Sequence, residues 1–330
     1  MDIVTQGLLG GVLAQSIATK QEKKIASLVG VVAGLIADAD ILISSANDPL
    51  LNIEYHRHFT HSLFFIPFGA LIAFILLWPF LRHRLLKQRL YLFCLMGYSM
   101  SGIIDACTSY GTHLLWPFSD ERIAWHVISI IDPIFTFILL ATFVLGLRIK
   151  RRQTTLIGLG LAVLYMSLGV MQLQRAKGVA EELVASRGHT TSKHIVKPTL
   201  ANLVLWRSTY IYESHIYVDA VRVGLFSTTV FEGESVEQVT LKKDFAGLDA
   251  GTALYDDIQR FTEFSDGYVA YDNTQPDVLG DIRYSMLPTS TKPLWGILIN
   301  KEQPQVHADY RFFRENSKDI RQQFINMLID

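Results

Sequence analysis

Cysteine is nearly absent from this chain: Cys94 and Cys107 are the two among 330 residues. Thirteen positions apart on or just past one apolar segment, they would stand about 20 Å from each other on a helix, beyond disulfide reach. Both read as small apolar packing residues, and a disulfide scaffold is excluded. No basic tail or arm is present and the net charge is −1, so nothing draws the chain to nucleic acid. Glycine-rich loops of the phosphate-cradling or dinucleotide type are missing, as are G-x-S-x-G, internal repeats and low-complexity tracts. Met1–Ile17 contains no basic residue, which argues against a cleaved signal peptide. Charge itself is scarce, at 18% of residues against about 25% in soluble proteins. A cytosolic globular enzyme and a disordered protein are both excluded.

The scarcity is uneven. Residues 1–173 carry 13 Lys/Arg and 10 Asp/Glu, whereas residues 174–330 carry 17 and 21. The first half reads as a polytopic α-helical membrane bundle and the second as a smaller, β-rich α+β domain in water. Six apolar segments are expected: Ile3–Ala18, Ile25–Ala37, Leu63–Leu81, Leu90–Ile104, Pro133–Leu147 and Gln153–Gln174. A span needs about 20 residues; Leu63–Leu81 and Gln153–Gln174 qualify outright, and three others reach span length only by taking in Asp38, Asp105 or Asp132. Eleven of the half's basic residues fall in three loops, around Lys20–Lys24, Arg82–Arg89 and Arg148–Arg152. The positive-inside rule makes those loops cytoplasmic and puts the C-terminal domain outside the cytoplasm.

On that reading the unusual polar residues all gather at the outer end of the bundle. Asp38 and Asp40, the run Tyr55–Ser62, the stretch Asp105–Thr112 and Asp132 are its members. Carboxylates below the membrane surface cost about 2.5–3.5 kcal/mol each on insertion scales, and several together repel. A divalent cation neutralises and orients them at once. His56, His58 and His61 supply three imidazoles within six residues, and neutral imidazole is the commonest metal ligand. Thr60 is placed to cap the following helix. Thr108, His113 and His126 follow in polar turns, while Trp116 and Trp125 suit an aromatic interface belt. Imidazole with carboxylate and no thiol cluster suits Zn²⁺ first, with Mn²⁺ or Fe²⁺ as alternatives.

These residues resemble a known family. Met1-Asp2-x-x-Thr5-Gln6, Asp38-x-Asp40, His56-Arg57-x-Phe59-Thr60-His61-Ser62-Leu63, Asp105-x-x-Thr108-Ser109-Tyr110-Gly111-Thr112, Trp116-Pro117-Phe118-Ser119 and Ile131-Asp132-Pro133 look like the bacterial inner-membrane metal-dependent hydrolases of the YdjM type. The resemblance covers roughly residues 1–175. It implies a relation to the helical zinc phospholipase C and P1 nuclease group, and hence a phosphoester substrate. It also implies metal binding by Asp38, Asp40, His56, His61 and Asp105, with Arg57 and Thr60 as flanking polar positions. His58 departs from the small residue usual there; His113 and His126 also stand where other polar residues are expected. In the phospholipase C group the N-terminus can join the site, and Met1-Asp2 would fit that place.

The expected activity is therefore metal-assisted hydrolysis of a phosphoester, with membrane lipids or other amphiphiles as natural substrates. The metal would activate water, Asp40 or Asp132 would act as general base, and Arg57 would stabilise phosphoryl charge. A metal or proton transporter is the first alternative, since intramembrane Asp and His also mark ion paths. A structural anchor whose metal merely staples helices is the second.

Residues 1–175 are expected to form the membrane domain, 176–199 a linker and 200–330 the outer domain. Strands are expected at Leu203–Glu213, His215–Phe226, Glu237–Leu241, Tyr268–Tyr271, Ile282–Leu287, Leu294–Ile299 and Tyr310–Phe313, and a helix at Phe313–Ile329.

Overall fold

The computed structural model describes residues 1–45, 47–313 and 317–329. The chain divides into two compact units. The first comprises Met1–Ile43, Tyr55–Met171 and Leu200–Asn202; the second comprises Ser44–Glu54, Gln172–Thr199 and Leu203–Asp330.

The helices of the first half are α1 (Ile3–Ser16), α2 (Lys23–Ile36), α3 (Leu51–Tyr55), α4 (Ile66–Leu81), α5 (Lys87–Tyr98), α6 (Ser101–Ala106), α7 (Pro133–Ile149) and α8 (Arg152–Ser186). Two 3₁₀ turns join them, Ala37–Leu42 after α2 and Phe59–His61 before α4. Asp2 opens α1 by accepting from the backbone N–H groups of Val4 and Thr5, and Asp132 opens α7 in the same way through Ile134 and Phe135. Helices α1, α2 and α5 meet through glycine. A Cβ on Gly10 would overlap the Gly30 carbonyl oxygen, and one on Gly97 would come within 2.6 Å of it. In lipid, where apolar burial gives no drive between helices, such close backbone approach is what holds them.

Among the described residues two helices are long and apolar enough to cross a membrane, Lys23–Leu42 and Arg152–Ser186. Leu51–His61 and Ile66–Leu81 would make a third if taken as one span, bent by 93°. The six expected segments are therefore not six helices of spanning length. The run Leu90–Ile104 is broken at Ser99–Met100 into α5 and α6, and the 12 residues of α5 rise only about 18 Å. Helix α7 is apolar but holds 17 residues.

The second unit contains two four-stranded antiparallel sheets. One runs β1 (His194–Pro198), β2 (Leu205–Tyr212), β3 (His215–Val223) and β4 (Thr228–Glu237) in sequential order. Helices α9 (Leu241–Asp244) and α10 (Ala253–Phe264) follow, then β5 (Val269–Asp272), β6 (Gln275–Asp281), β7 (Trp295–Leu298) and β8 (Asp309–Phe312), again in sequential order. Helix α11 (Lys318–Ile329) ends the described chain; residues 314–316 of the expected terminal helix lie outside it. Residues 176–199 are not a linker: α8 runs unbroken to Ser186, and β1 is a paired strand of the first sheet. No strand forms over Ile282–Leu287, and Glu237–Leu241 is only the end of β4 and the start of α9. Strand β4 escapes a hydrophobic reading because its Thr, Glu, Gly and Ser leave it largely exposed.

Candidate metal centre

Three ligand atoms converge in the first unit. Asp38, His61 and Asp105 each offer one, all within 4.8 Å of one another. His61 Nε2 lies 3.2 Å from Asp38 Oδ1 and 3.1 Å from Asp105 Oδ2. Asp38 comes from the 3₁₀ turn that ends α2, His61 from the turn before α4, and Asp105 from α6. Asp105 and His61 are fully buried side chains, and Asp38 is 20% exposed. The cluster thus opens on the Asp38 side.

Asp40 does not join these three. It sits behind His61, its Oδ2 3.2 Å from Nδ1, and is filled by other donors. The Arg57 backbone N–H and the Thr60 hydroxyl donate to Oδ2 at 2.9 and 2.8 Å, and His56 Nδ1 lies 2.9 Å from Oδ1. That is the arrangement in which a carboxylate fixes the tautomer and orientation of a ligating histidine. His56, at 23% exposure, is bonded to Asp40 and meets His61 ring edge to face, centroids 6.3 Å apart, but is not one of the three converging ligands.

The local backbone is built for this convergence. Arg57 adopts φ 62°, a left-handed conformation uncommon outside glycine and concentrated at functional sites. It turns the Arg57 N–H to Asp40 while the guanidinium runs to the Thr108 hydroxyl at 3.0 Å and to within 3.2 Å of Asp105 Oδ2. The same guanidinium lies 5.1 Å from the centroid of the Tyr110 ring. Arg57 is buried, so it braces Asp105 from within. The amino group of Met1 also contacts Asp105, at Oδ1. Gly102 is required where α6 crosses the 3₁₀ turn, since a Cβ there would overlap the His61 carbonyl oxygen. Tyr98 donates to the Thr60 carbonyl at 2.5 Å.

The remaining expected residues fall elsewhere. Asp132 is spent on capping α7 and on accepting the Tyr165 hydroxyl, at 2.8 Å to Oδ2. His58 and His113 pack ring against ring, centroids 4.4 Å apart, with Trp116 beside His58. His126 donates its backbone N–H to the Thr108 carbonyl at 3.3 Å. Thr108 links Arg57 to the Asp105 backbone, its hydroxyl donating to that carbonyl at 2.7 Å. Gly102, Tyr98 and Tyr110 have roles that the sequence reading missed. The Ser101-Gly102 pair of small residues is the signal that could have found one of them.

A second group, Asp48, Asp257 and His307, gathers in the other unit. Arg260 already stands there, 3.1 Å from Asp48 and 3.4 Å from Asp257, with Glu54 at 2.6 Å. The guanidinium supplies the positive charge a metal would bring.

The first cluster suits a divalent cation better. It is the better buried of the two, and its two carboxylates and one imidazole are a hard-to-borderline donor set, with Arg57 and the Met1 amino group holding Asp105 from behind. With this geometry in an apolar helical half, the first unit defines a membrane protein with a buried His/Asp cluster. The chain belongs to the YdjM inner membrane protein family, whose profile matches residues 1–176. Inner membrane protein YbcI of Escherichia coli (strain K12) is 33% identical to it over 110 residues, covering 31% of this chain and 60% of that protein. The matched part thus spans less than two thirds of that relative. No solved structure matches the chain.

Proposed function

We propose that this protein is a metal-dependent hydrolase of phosphoesters, its site at the extracytoplasmic ends of the membrane helices and its C-terminal domain outside the cytoplasm. The observation that carries the reading is the convergence of Asp38, His61 and Asp105 within 4.8 Å, supported behind by Asp40. Asp38, His61 and Asp105 would hold the ion. A zinc, manganese or iron ion held there would supply a water of lowered pKa and Lewis-acid polarisation of a phosphoryl oxygen. Asp40 holds His61 in register through Nδ1, and Arg57 with Thr108 fixes Asp105. His56, its Nδ1 committed to Asp40, is partly exposed and would serve as the general base toward an attacking water. Asp40 then acts through His56 rather than as the base itself. The half-open position among apolar helices favours amphiphilic substrates such as phospholipids.

Helix stapling by the same metal is the second reading, favoured by the complete burial of Asp105. Metal content by mass spectrometry of the detergent-purified chain, beside Asp38→Asn and a His61→Ala, Asp105→Ala double variant, tests the common premise. Near-stoichiometric metal in the parent and none in a monodisperse double variant is the expected result. Release of phosphate or headgroup from vesicle phospholipids, abolished in Asp38→Asn, then separates hydrolysis from stapling. Metal accumulation in sealed proteoliposomes would favour transport and overturn the hydrolase reading.

A further inference from the structure

We infer that the tip of the β3–β4 hairpin is a lipid-contacting wedge that enters the membrane leaflet at the C-terminal end of the uncharged stretch of α8. Strands β3 and β4 close at the Val223–Thr228 pair, and the Gly224 N–H donates to the Ser227 carbonyl at 2.9 Å. The two residues at the summit of that turn are Leu225 and Phe226, 85% and 100% exposed. A water-facing turn is ordinarily built from Gly, Asn, Asp, Ser or Pro; a bare leucine–phenylalanine pair is not of that kind.

What fixes the surroundings of the tip is its attachment to α8. Gln172 Nε2 donates to the Val223 carbonyl at 2.9 Å and to the Leu203 carbonyl at 3.2 Å, and Arg175 reaches the Leu225 carbonyl at 3.5 Å. Gln172 and Arg175 stand at the end of the uncharged run 153–174. Those 22 residues of unbroken helix rise about 33 Å, close to a hydrocarbon core of about 30 Å. The tip is therefore tied to the helix where the bilayer ends. Arg175, Lys177 and Arg222 bring positive charge to this level, matching anionic headgroups, while Phe226 takes the place interfacial aromatics occupy. The occupant is the lipid surface itself. The inference rests on α8 crossing the membrane and is independent of the metal cluster.

The test uses the full chain in phosphatidylethanolamine–phosphatidylglycerol vesicles containing nitroxide-labelled lipid. Phe226→Cys, Leu164→Cys in the middle of α8 and Ser214→Cys at the far end of β3 are each labelled with an environment-sensitive fluorophore, the parent chain serving as the blank. Phe226→Cys is expected to emit to the blue of Ser214→Cys and to lose most of its intensity to a nitroxide near the headgroup. Leu164→Cys should lose its intensity to a nitroxide deep in the acyl chains. If Leu164→Cys is quenched while Phe226→Cys emits as in water, the wedge is refuted and the span stands. Blue emission at 226 without lipid quenching means a protein partner and also refutes it. If neither position is quenched, the span reading falls and the wedge with it.

Discussion

Asp40 Oδ2 and His61 Nδ1 lie 3.2 Å apart, on the side of the imidazole away from Asp38 and Asp105. The two aspartates of Asp38-Ala-Asp40 therefore serve opposite nitrogens of one histidine, one at the cluster and one behind it. Asp40→Asn keeps the shape but weakens the hold on His61. Metal affinity should fall by about 10–100-fold while binding survives, whereas Asp105→Ala should abolish it. Titration of the metal-stripped, detergent-purified chain measures both; equal loss in the two variants would make Asp40 a ligand after all.

Gly102 faces the His61 carbonyl oxygen too closely for a side chain. Gly102→Ala must push α6 away from the turn that carries His61, separating Asp105 from its partner. A loss of about 1–3 kcal/mol in stability is expected from the overpacking, together with weaker metal binding. Thermal unfolding with and without added zinc reads both effects. An alanine accommodated with unchanged metal affinity would show that the crossing does not set the site.

Lys197 in the second unit is buried, its Nζ 3.0 Å from the centroid of the Tyr284 ring and without a hydrogen-bond partner. Burial, and then the charge of nearby Arg207, hold its ammonium well below the usual lysine range. The unfolded chain thus binds a proton that the folded chain releases, so stability rises with pH between the depressed folded value and about 10.4. Below that window the penalty is fully present. Lys197→Met should add about 1–3 kcal/mol near neutrality and flatten the alkaline rise. Unfolding of the full chain in detergent, followed by tryptophan fluorescence across this range, decides it. A destabilised variant would mean that the amine does favourable work at the ring.

Arg260 holds the segment 44–54 to the second unit through Asp48 and Glu54, and also pairs with buried Asp257. Its side chain is 27% exposed, so solvent screening limits the value of the surface contacts. Arg260→Gln should cost about 1 kcal/mol and open 44–54 to protease. Limited proteolysis followed by mass spectrometry locates the cuts. If the variant gains tight calcium or zinc binding at Asp48, Asp257 and His307, the guanidinium is standing in for a cation.

The membrane character of the first half was legible in the distribution of charge alone, because lipid rejects charged side chains whatever the fold. The local strands β2, β3, β5, β7 and β8 were legible for a similar reason: Val, Ile, Tyr and Trp in short runs prefer a pleated, half-buried surface. The identity of Asp38, His61 and Asp105 as chemistry-bearing residues was legible too, since such groups near apolar helices need a reason to be there. Their grouping was not. Which aspartate meets which nitrogen depends on the left-handed turn at Arg57, which reaches back 17 positions to Asp40, and on the close crossing of Gly102 with His61, 41 positions apart. Asp132 illustrates the limit: its sequence setting fits both a cap and a site, and only its hydrogen bonds to α7 and Tyr165 assign it to the cap. The break between α5 and α6 and the continuation of α8 into the second unit were likewise tertiary decisions. Sequence sets which side chains cannot stay in lipid or water alone; packing decides which of them end up together, because each partner is chosen by backbone approach and not by distance along the chain.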